Sequence, residues 1–523
     1  MRPPSSSELA RVLAILALAF WTSLPHPDPD LWGHLVYGEA ALAYLAPLAV
    51  DRYSYTCTGR AWVNHEWYAE AVLAALATGP GPWALYAFNA LIALALFAHA
   101  ARRRASTPRT DGLAGSSALV ALALAMVAAG LAPSFSYRPQ TFSFAAFYVM
   151  LLCIGHARAT GRAGNLAPLV PLFALWANLH GGFVAGLCVL ALATATTAGE
   201  ALCGRRVWGP TVAFAAVATV AAAATVATPY GPSLWSFLAF DLGRDRPMIT
   251  EWGPPAWSLA PDALDELARG GALAGFGLVF AACRRPRDPF AALLVAVTTY
   301  VWLRHQRHLP FLALAVLWIA PAPTRGAGPE NTSPEPAPDR TTPTRDRLAV
   351  RALLALSCAT VIALASIVGR AGTMVPTTEY PVAAMRILAG EKLGGRLLVH
   401  YDWSQYAIHR LFPAWRVAYD GRYTTVYPLD LEDRFMAWQR PRADGWRRML
   451  EDEPRPDAVL LPALARTALW MKARAGWVVV YEDATAVLLV RPDHPLRAAL
   501  EARARALSAA GELDVPLRVP FPG

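Results

Sequence analysis

Short polar clusters interrupt an otherwise apolar chain: Asp28-Pro-Asp30, His65-Glu66, Arg138, Asn178-Leu-His180, Glu251-Trp252 and Arg304-His-Gln-Arg307. The densest acidic group, Asp28, Asp30, Glu39, Asp51, Glu66 and Glu70, falls with His34 and His65 between the first two apolar runs. Carboxylates at a membrane interface are costly to bury without a partner or a task, and several converge here within one loop. On a helix Asp30 and His34 share a face, as do Glu66 and Glu70. The plainer alternative is that Asp28 or Asp30 caps the helix that starts there. Carboxylate with imidazole also suits magnesium or manganese, and Asp30, His34, His65 and Glu66 are the candidate ligands.

The basic residues suggest a complementary chemistry. Arg138, Arg304 and Arg307 follow apolar runs on the side where orientation does not call for positive charge, and guanidinium groups bind phosphate oxygens bidentately; snorkelling to the headgroups is the alternative. Asn178 and His180 precede Gly181-Gly182, a pairing that permits close backbone approach to a ligand or a tight turn. Glu251 beside Trp252 offers a carboxylate and an aromatic platform suited to a sugar ring, or a solvated acid beside an interfacial tryptophan.

The elements that must position these groups are membrane helices. The chain has 523 residues, 55% of them hydrophobic and 16% charged, and a mean hydropathy of +0.32. Apolar runs lie near 8–24, 82–101, 113–132, 139–156, 165–179, 182–200, 211–228, 268–283, 288–304, 308–320 and 349–369. They give about eleven spans, several shorter than the roughly 20 residues of a perpendicular helix. Arg2, Arg11, Arg102 to Arg104, Arg109, Arg158, Arg162, Arg205, Arg206, Arg284, Arg285 and Arg287 occupy alternate loops, which the positive-inside rule places in the cytoplasm. The amino terminus is then cytoplasmic, the last segment extracytoplasmic, and the polar clusters share the outer side. Orientation accounts for the +9 charge without a nucleic-acid partner. The six cysteines show no paired spacing and predict no structural disulfide, and the first run lacks a cleavage site.

The expected organisation is a membrane bundle over 1–321 with a large first outer loop at 25–81, a disordered cytoplasmic linker at 322–348, a last membrane helix at 349–369 and an extracytoplasmic α/β domain at 370–523. Asn64 to Thr78 predicts a short juxtamembrane or re-entrant helix. In the last domain Gly395–His400, Arg416–Tyr419 and Asp457–Leu461 predict strands. Asp402–Leu411 predicts a helix, and Trp477–Tyr481 with Ala486–Val490 a hairpin, together a mixed sheet flanked by helices. Tyr401, Asp402, Trp403, Asp420 and Arg422 are its candidate contact residues, with a cap at Asp402 and a turn at Asp420-Gly421 as alternatives.

Asp28-Pro-Asp-Leu-Trp-Gly-His34, Asp51-Arg-Tyr-Ser-Tyr55, Gly59-Arg-Ala-Trp62 and His65-Glu-Trp67 resemble uncharacterised bacterial members of the GT-C superfamily of membrane glycosyltransferases. The resemblance continues through Arg138-Pro-Gln140, Trp176 to Gly182, Pro229-Tyr-Gly231, Glu251-Trp252, Tyr401-Asp-Trp403 and Asp420-Gly-Arg422, over most of the chain. It implies a mainly α, polytopic bundle in the bacterial inner membrane and transfer of a sugar from a polyprenyl-phosphate donor to a glycan, lipid or protein acceptor. An acid of the first outer loop, Asp30 or Asp28 with Glu66 as a further candidate, would act as general base. His34, His65, Arg138, Asn178, His180, Glu251, Trp252, Arg304 and Arg307 would line the substrate site among membrane lipids. A transporter or flippase of lipid-linked saccharide would use the same arginines without bond formation, and a non-catalytic scaffold would keep the fold and present the outer domain to partners.

Overall fold

Polar and proline-containing breaks in the apolar runs become helix ends, and the chain is mainly helical with a C-terminal α/β region. The computed structural model describes residues 6–23, 28–105, 117–244, 250–255, 261–283, 288–320, 359–360, 362–363, 374–441, 444–474 and 476–520. The expected linker at 322–348 lies outside these residues, as does nearly all of the expected helix at 349–369. The chain divides into two compact units: Met1–His26 with Trp83–Gly369, and Pro27–Pro82 with Arg370–Gly523.

In the first unit, three described helices are long and apolar enough to cross a membrane, not the eleven expected: Trp83–Arg103, Gln140–Thr160 and Phe183–Leu202. Several other runs fold as shorter apolar helices, among them Leu119–Ser134, Trp208–Ala224 and Pro289–Arg304. Some end or begin at the residues that interrupt the apolar runs. His180 and His305 leave their helices in extended conformation, and Pro289 and Pro310 sit at helix starts, where proline costs no hydrogen bond. Pro261–Cys283 is long, but Asp262, Asp265, Glu266 and Arg269 occupy its early turns. Leu309–Ile319 is buried on all sides apart from Phe311, the mark of a central core helix. Towards the end of Gln140–Thr160, buried Arg158 donates to Thr197 (2.8 Å), Glu200 (3.1 Å) and Asp288 (2.9 Å).

The second unit contains the predicted mixed sheet. Its strand order is β3 (Trp415–Val417), β2 (Gly395–Val399), β4 (Ala458–Pro462), β6 (Ala486–Val490), β5 (Val478–Glu482). β2 runs parallel to β3 and β4, while β6 is antiparallel to β4 and β5. β6 is buried throughout and β4 nearly so, consistent with their unbroken apolar sequences. A separate antiparallel pair, β1 (Met374–Pro376) with β7 (Arg518–Pro520), joins the two ends of the C-terminal segment.

Residues 25–81 were expected to belong to the membrane bundle; Pro27–Pro82 instead packs with the sheet domain. The cause is an open sheet edge. Ser54 bridges Val417 of β3 in parallel, Tyr55 N–H donates to Val417 O (3.0 Å), and Val417 N–H donates to Tyr53 O (3.1 Å). An edge strand left with unpaired backbone groups is thereby covered. Trp32, Tyr37, Tyr53 and Trp62 enter the same hydrophobic core as Tyr406, Trp415 and Tyr427. Helix Trp67–Thr78, predicted as juxtamembrane or re-entrant, packs on helix Leu31–Tyr44. At their crossing Gly38 allows close approach: a Cβ there would lie 2.0 Å from the Glu70 carbonyl oxygen.

Candidate functional site

Asp30 is the N-cap residue of helix Leu31–Tyr44, yet its carboxylate makes no capping hydrogen bond. The capping alternative is thus set aside for its side chain, because other groups do that work. Asp28 Oδ1 accepts from Asp30 N–H (2.9 Å), and the Gly33 N–H of the first turn donates to Gln405 Oε1 (3.1 Å). The same Gln405 carboxamide turns its Nε2–H onto Asp30 Oδ1 (3.2 Å). Gln405 is buried and wedged between two glycines: a Cβ on Gly33 would approach Gln405 Oε1 to 2.0 Å, and one on Gly421 would approach Gln405 Nε2 to 2.1 Å and Asp30 Oδ1 to 2.8 Å. Helix Tyr401–Leu411 supplies Gln405, so one buried amide both caps the Asp30 helix and fixes its carboxylate.

One turn further along, His34 Nδ1 lies 2.9 Å from Glu70 Oε1, and Asn64 Nδ2–H donates to Glu70 Oε2 (2.6 Å). His34, Asn64 and Glu70 are all buried. Burial disfavours the imidazolium, but the Glu70 hydrogen bond and the charges of Glu70, Glu66 and Asp30 outweigh it, so the His34 pKa is raised. Asn64 Oδ1 also accepts from Glu66 N–H (3.3 Å), ordering the turn that begins helix Trp67–Thr78. His65 Nε2 lies 3.8 Å from Glu66 Oε1, with both side chains partly exposed. Donor atoms of His34, Glu66 and Glu70 lie within 4.8 Å of one another. Of the expected metal set, His34 and Glu66 are therefore brought together, with Glu70 in place of Asp30 and His65. Both Glu70 oxygens already accept from protein donors.

Asp420 and Arg422, expected as contact residues, are interior. Arg422 donates to Asp420 Oδ1 (2.8 Å), Asp420 Oδ2 (2.7 Å), Asp51 Oδ1 (2.6 Å) and the Tyr427 hydroxyl (3.1 Å). The rings of Trp62, Tyr37, Tyr53 and Tyr427 surround its guanidinium at 4.8 to 5.7 Å. Asp51 accepts besides from Tyr53 N–H and Ser54 Oγ–H. This is a staple between the Pro27–Pro82 segment and the sheet domain. Trp403 is also buried and donates to the Glu379 carbonyl (2.7 Å), whereas the Asp402 side chain is exposed in the first turn of its helix.

In the first unit Arg138 and Arg307 come together on one acid: their Nη1 atoms lie 3.5 and 3.6 Å from Glu251 Oε1. Arg307 stacks over Trp252 at 4.2 Å, and Gln306 N–H and His305 Nδ1 meet the Gly253 and Trp252 carbonyls at 3.0 and 2.5 Å. The tryptophan platform is thus covered by a guanidinium. Arg304 is exposed in the last turn of its helix and makes no side-chain hydrogen bond or ion pair among the described residues. Asn178 and His180 are committed structurally. Asn178 Nδ2 donates to the Ala174 and Ala227 carbonyls (2.9 and 2.8 Å). His180 Nδ1 accepts from Gly182 N–H (2.9 Å) and from Ser143 Oγ–H (2.8 Å), whose oxygen accepts in turn from Trp176 Nε1–H (2.7 Å).

Three members of these groups escaped the sequence-level site: Asn64, Glu70 and Gln405. Glu70 carried a signal, its spacing from Glu66. Gln405 carried none, since 372 residues separate it from Gly33. No protein-family model matches this chain, and a search of curated proteins finds no match either.

Proposed function

We propose that the protein is an integral membrane glycosyltransferase that moves a sugar from a polyprenyl-phosphate carrier to a hydroxyl acceptor outside the cytoplasm. The observation that carries this reading is the Asp30 carboxylate, relieved of capping and held by Gln405. A general base needs an oxygen held in a fixed position, and Gln405 holds Asp30 Oδ1. In the reaction Asp30, or its neighbour Asp28, takes the acceptor proton while the acceptor oxygen attacks the anomeric carbon. The carbon–oxygen bond to phosphate breaks on the opposite face, the phosphate leaves with the bonding pair, and configuration inverts. Within the first unit, Arg138 and Arg307 share Glu251, and a phosphate would suit the same pair of guanidinium groups, with Arg304 as a further cation. The eleven-span GT-C-like bundle in a bacterial inner membrane belongs to the same proposal. A 17-residue helix such as Trp208–Ala224 reaches about 25 Å at ~1.5 Å per residue, so it would need tilt-free crossing or a thinned bilayer.

The test incubates purified protein in lipid with a panel of radiolabelled polyprenyl-phosphate sugars. Cleavage or transfer is expected from the parent chain and its loss from Asp30→Asn. Gln405→Leu should lower the rate roughly 10- to 100-fold, the worth of a hydrogen bond to a charged group. Parental rates in Asp30→Ala, Asp28→Ala and the double variant would overturn the assignment. Binding and transport of the carrier with no cleavage would make the protein a flippase. Single cysteines at positions 30 and 138 should label from the same face of intact cells.

A further inference from the structure

A groove of about 490 Å³ in the second unit, separate from the Asp30 and His34 groups, carries a charge imbalance that no ion pair among the described residues settles. One wall is the loop Thr56–Arg60; the other is formed by helix Leu429–Gln439 and residues 448–454. The loop is preformed. Cys57 N–H donates to Ser54 Oγ (3.0 Å), Gly59 N–H to Asp51 O (2.8 Å) and Asp51 N–H to Arg60 O (2.9 Å), while Gly59 takes a φ of +82° that a side chain would strain. Its Thr56 hydroxyl is spent on the Ala418 carbonyl (2.6 Å), and its Thr58 hydroxyl on that of Ser54. The loop's remaining polar side chain is Arg60.

Five charged residues line the groove: Arg60, Arg434, Arg448, Asp452 and Glu453. Arg434 pairs with Asp430 (3.2 Å) and Asp452 (3.6 Å), and Glu453 pairs with Arg455 (3.2 Å). Both acids are therefore committed. Arg60 and Arg448 are exposed and make no side-chain hydrogen bond or ion pair among the described residues. Two unpaired guanidinium groups facing one cavity repel each other, and a shared oxyanion relieves that repulsion with bidentate hydrogen bonds. The volume exceeds what a bare phosphate fills and falls within the range of small-molecule sites, roughly 300 to 1,000 Å³. Leu431 and Met449 add apolar surface for an organic body.

We propose that this groove binds a small organic oxyanion, a phosphate or carboxylate on a sugar-sized body, held by Arg60 and Arg448. The proposal is independent of the transferase reading. The test is calorimetric titration of the full-length chain in lipid nanodiscs with glucose 6-phosphate, glucuronate and neutral glucose. At least one anionic sugar should bind while glucose does not, and which of the two binds identifies the group as phosphate or carboxylate. Arg60→Gln and Arg448→Gln should each weaken binding about tenfold or more, and the double variant should abolish it with an unchanged unfolding midpoint, since both side chains are exposed. Equal behaviour of all three sugars, or parental affinity in the double variant, would overturn the proposal.

Discussion

Replacing Arg422 by Met keeps an unbranched side chain of similar length among the four aromatic rings but removes the charge. Asp420 and Asp51 are 0% and 1% exposed, so neither carboxylate can turn to water. Breaking a buried ion pair by deleting one partner costs about 3–5 kcal/mol. The lower end applies here, because Asp51 keeps its Tyr53 N–H and Ser54 donors and Asp420 keeps the Tyr427 hydroxyl and the backbone N–H of residue 422. For a domain of roughly 150–250 residues each kcal/mol moves the midpoint by about 2–4 °C, so a loss of 6–12 °C is expected. The assay is thermal unfolding followed by tryptophan fluorescence, with limited proteolysis to show that Pro27–Pro82 has become cleavable. Adding Asp420→Asn and Asp51→Asn should restore much of the loss, since the cost is that of stranded charge. A midpoint within a degree of the parent, with no new cleavage in this segment, would refute the staple.

Gly38→Val should destabilise the second unit by at least about 1–3 kcal/mol, the usual cost of overpacking, because its Cβ would overlap the Glu70 carbonyl; denaturant titration reads this directly, and a neutral result would mean the helices do not meet there. Asp457 accepts from Arg396 and His494. Burial alone would raise its pKa, but the Arg396 hydrogen bonds and charge lower it. Its contribution is therefore present above its unfolded value of about 3.9 and lost as pH falls through the depressed folded value; Asp457→Asn should flatten that part of the stability profile. Millimolar Mn²⁺ should raise the midpoint of the parent no more than that of His34→Ala, because Glu70 already has protein donors on both oxygens; a saturable stabilisation that His34→Ala abolishes would make the cluster a metal centre.

Local signals served well where the deciding interaction is local. The alternation and apolar runs of Gly395–Val399, Ala458–Pro462 and Ala486–Val490, with a helix over Tyr401–Leu411, were legible because strand and helix periodicity depend on neighbours in sequence. The length of the membrane helices was less so. An apolar run reports composition, whereas its helix ends where prolines, glycines or capping geometry stop the hydrogen-bond ladder, as at His180 and His305.

The site shows the same division. Sequence alone determined that acids, imidazoles and arginines punctuate an apolar chain, and that Asp30 begins a helix. The tertiary structure decided their duties, because each duty depends on a partner far along the chain: Gln405 for Asp30, Arg422 for Asp51, and Glu251 with Arg307 for Arg138. A carboxylate is the same residue whether it caps, braces or reacts. Which of these it does is fixed by the donor that reaches its oxygens, and that donor is placed by the packing of the whole chain.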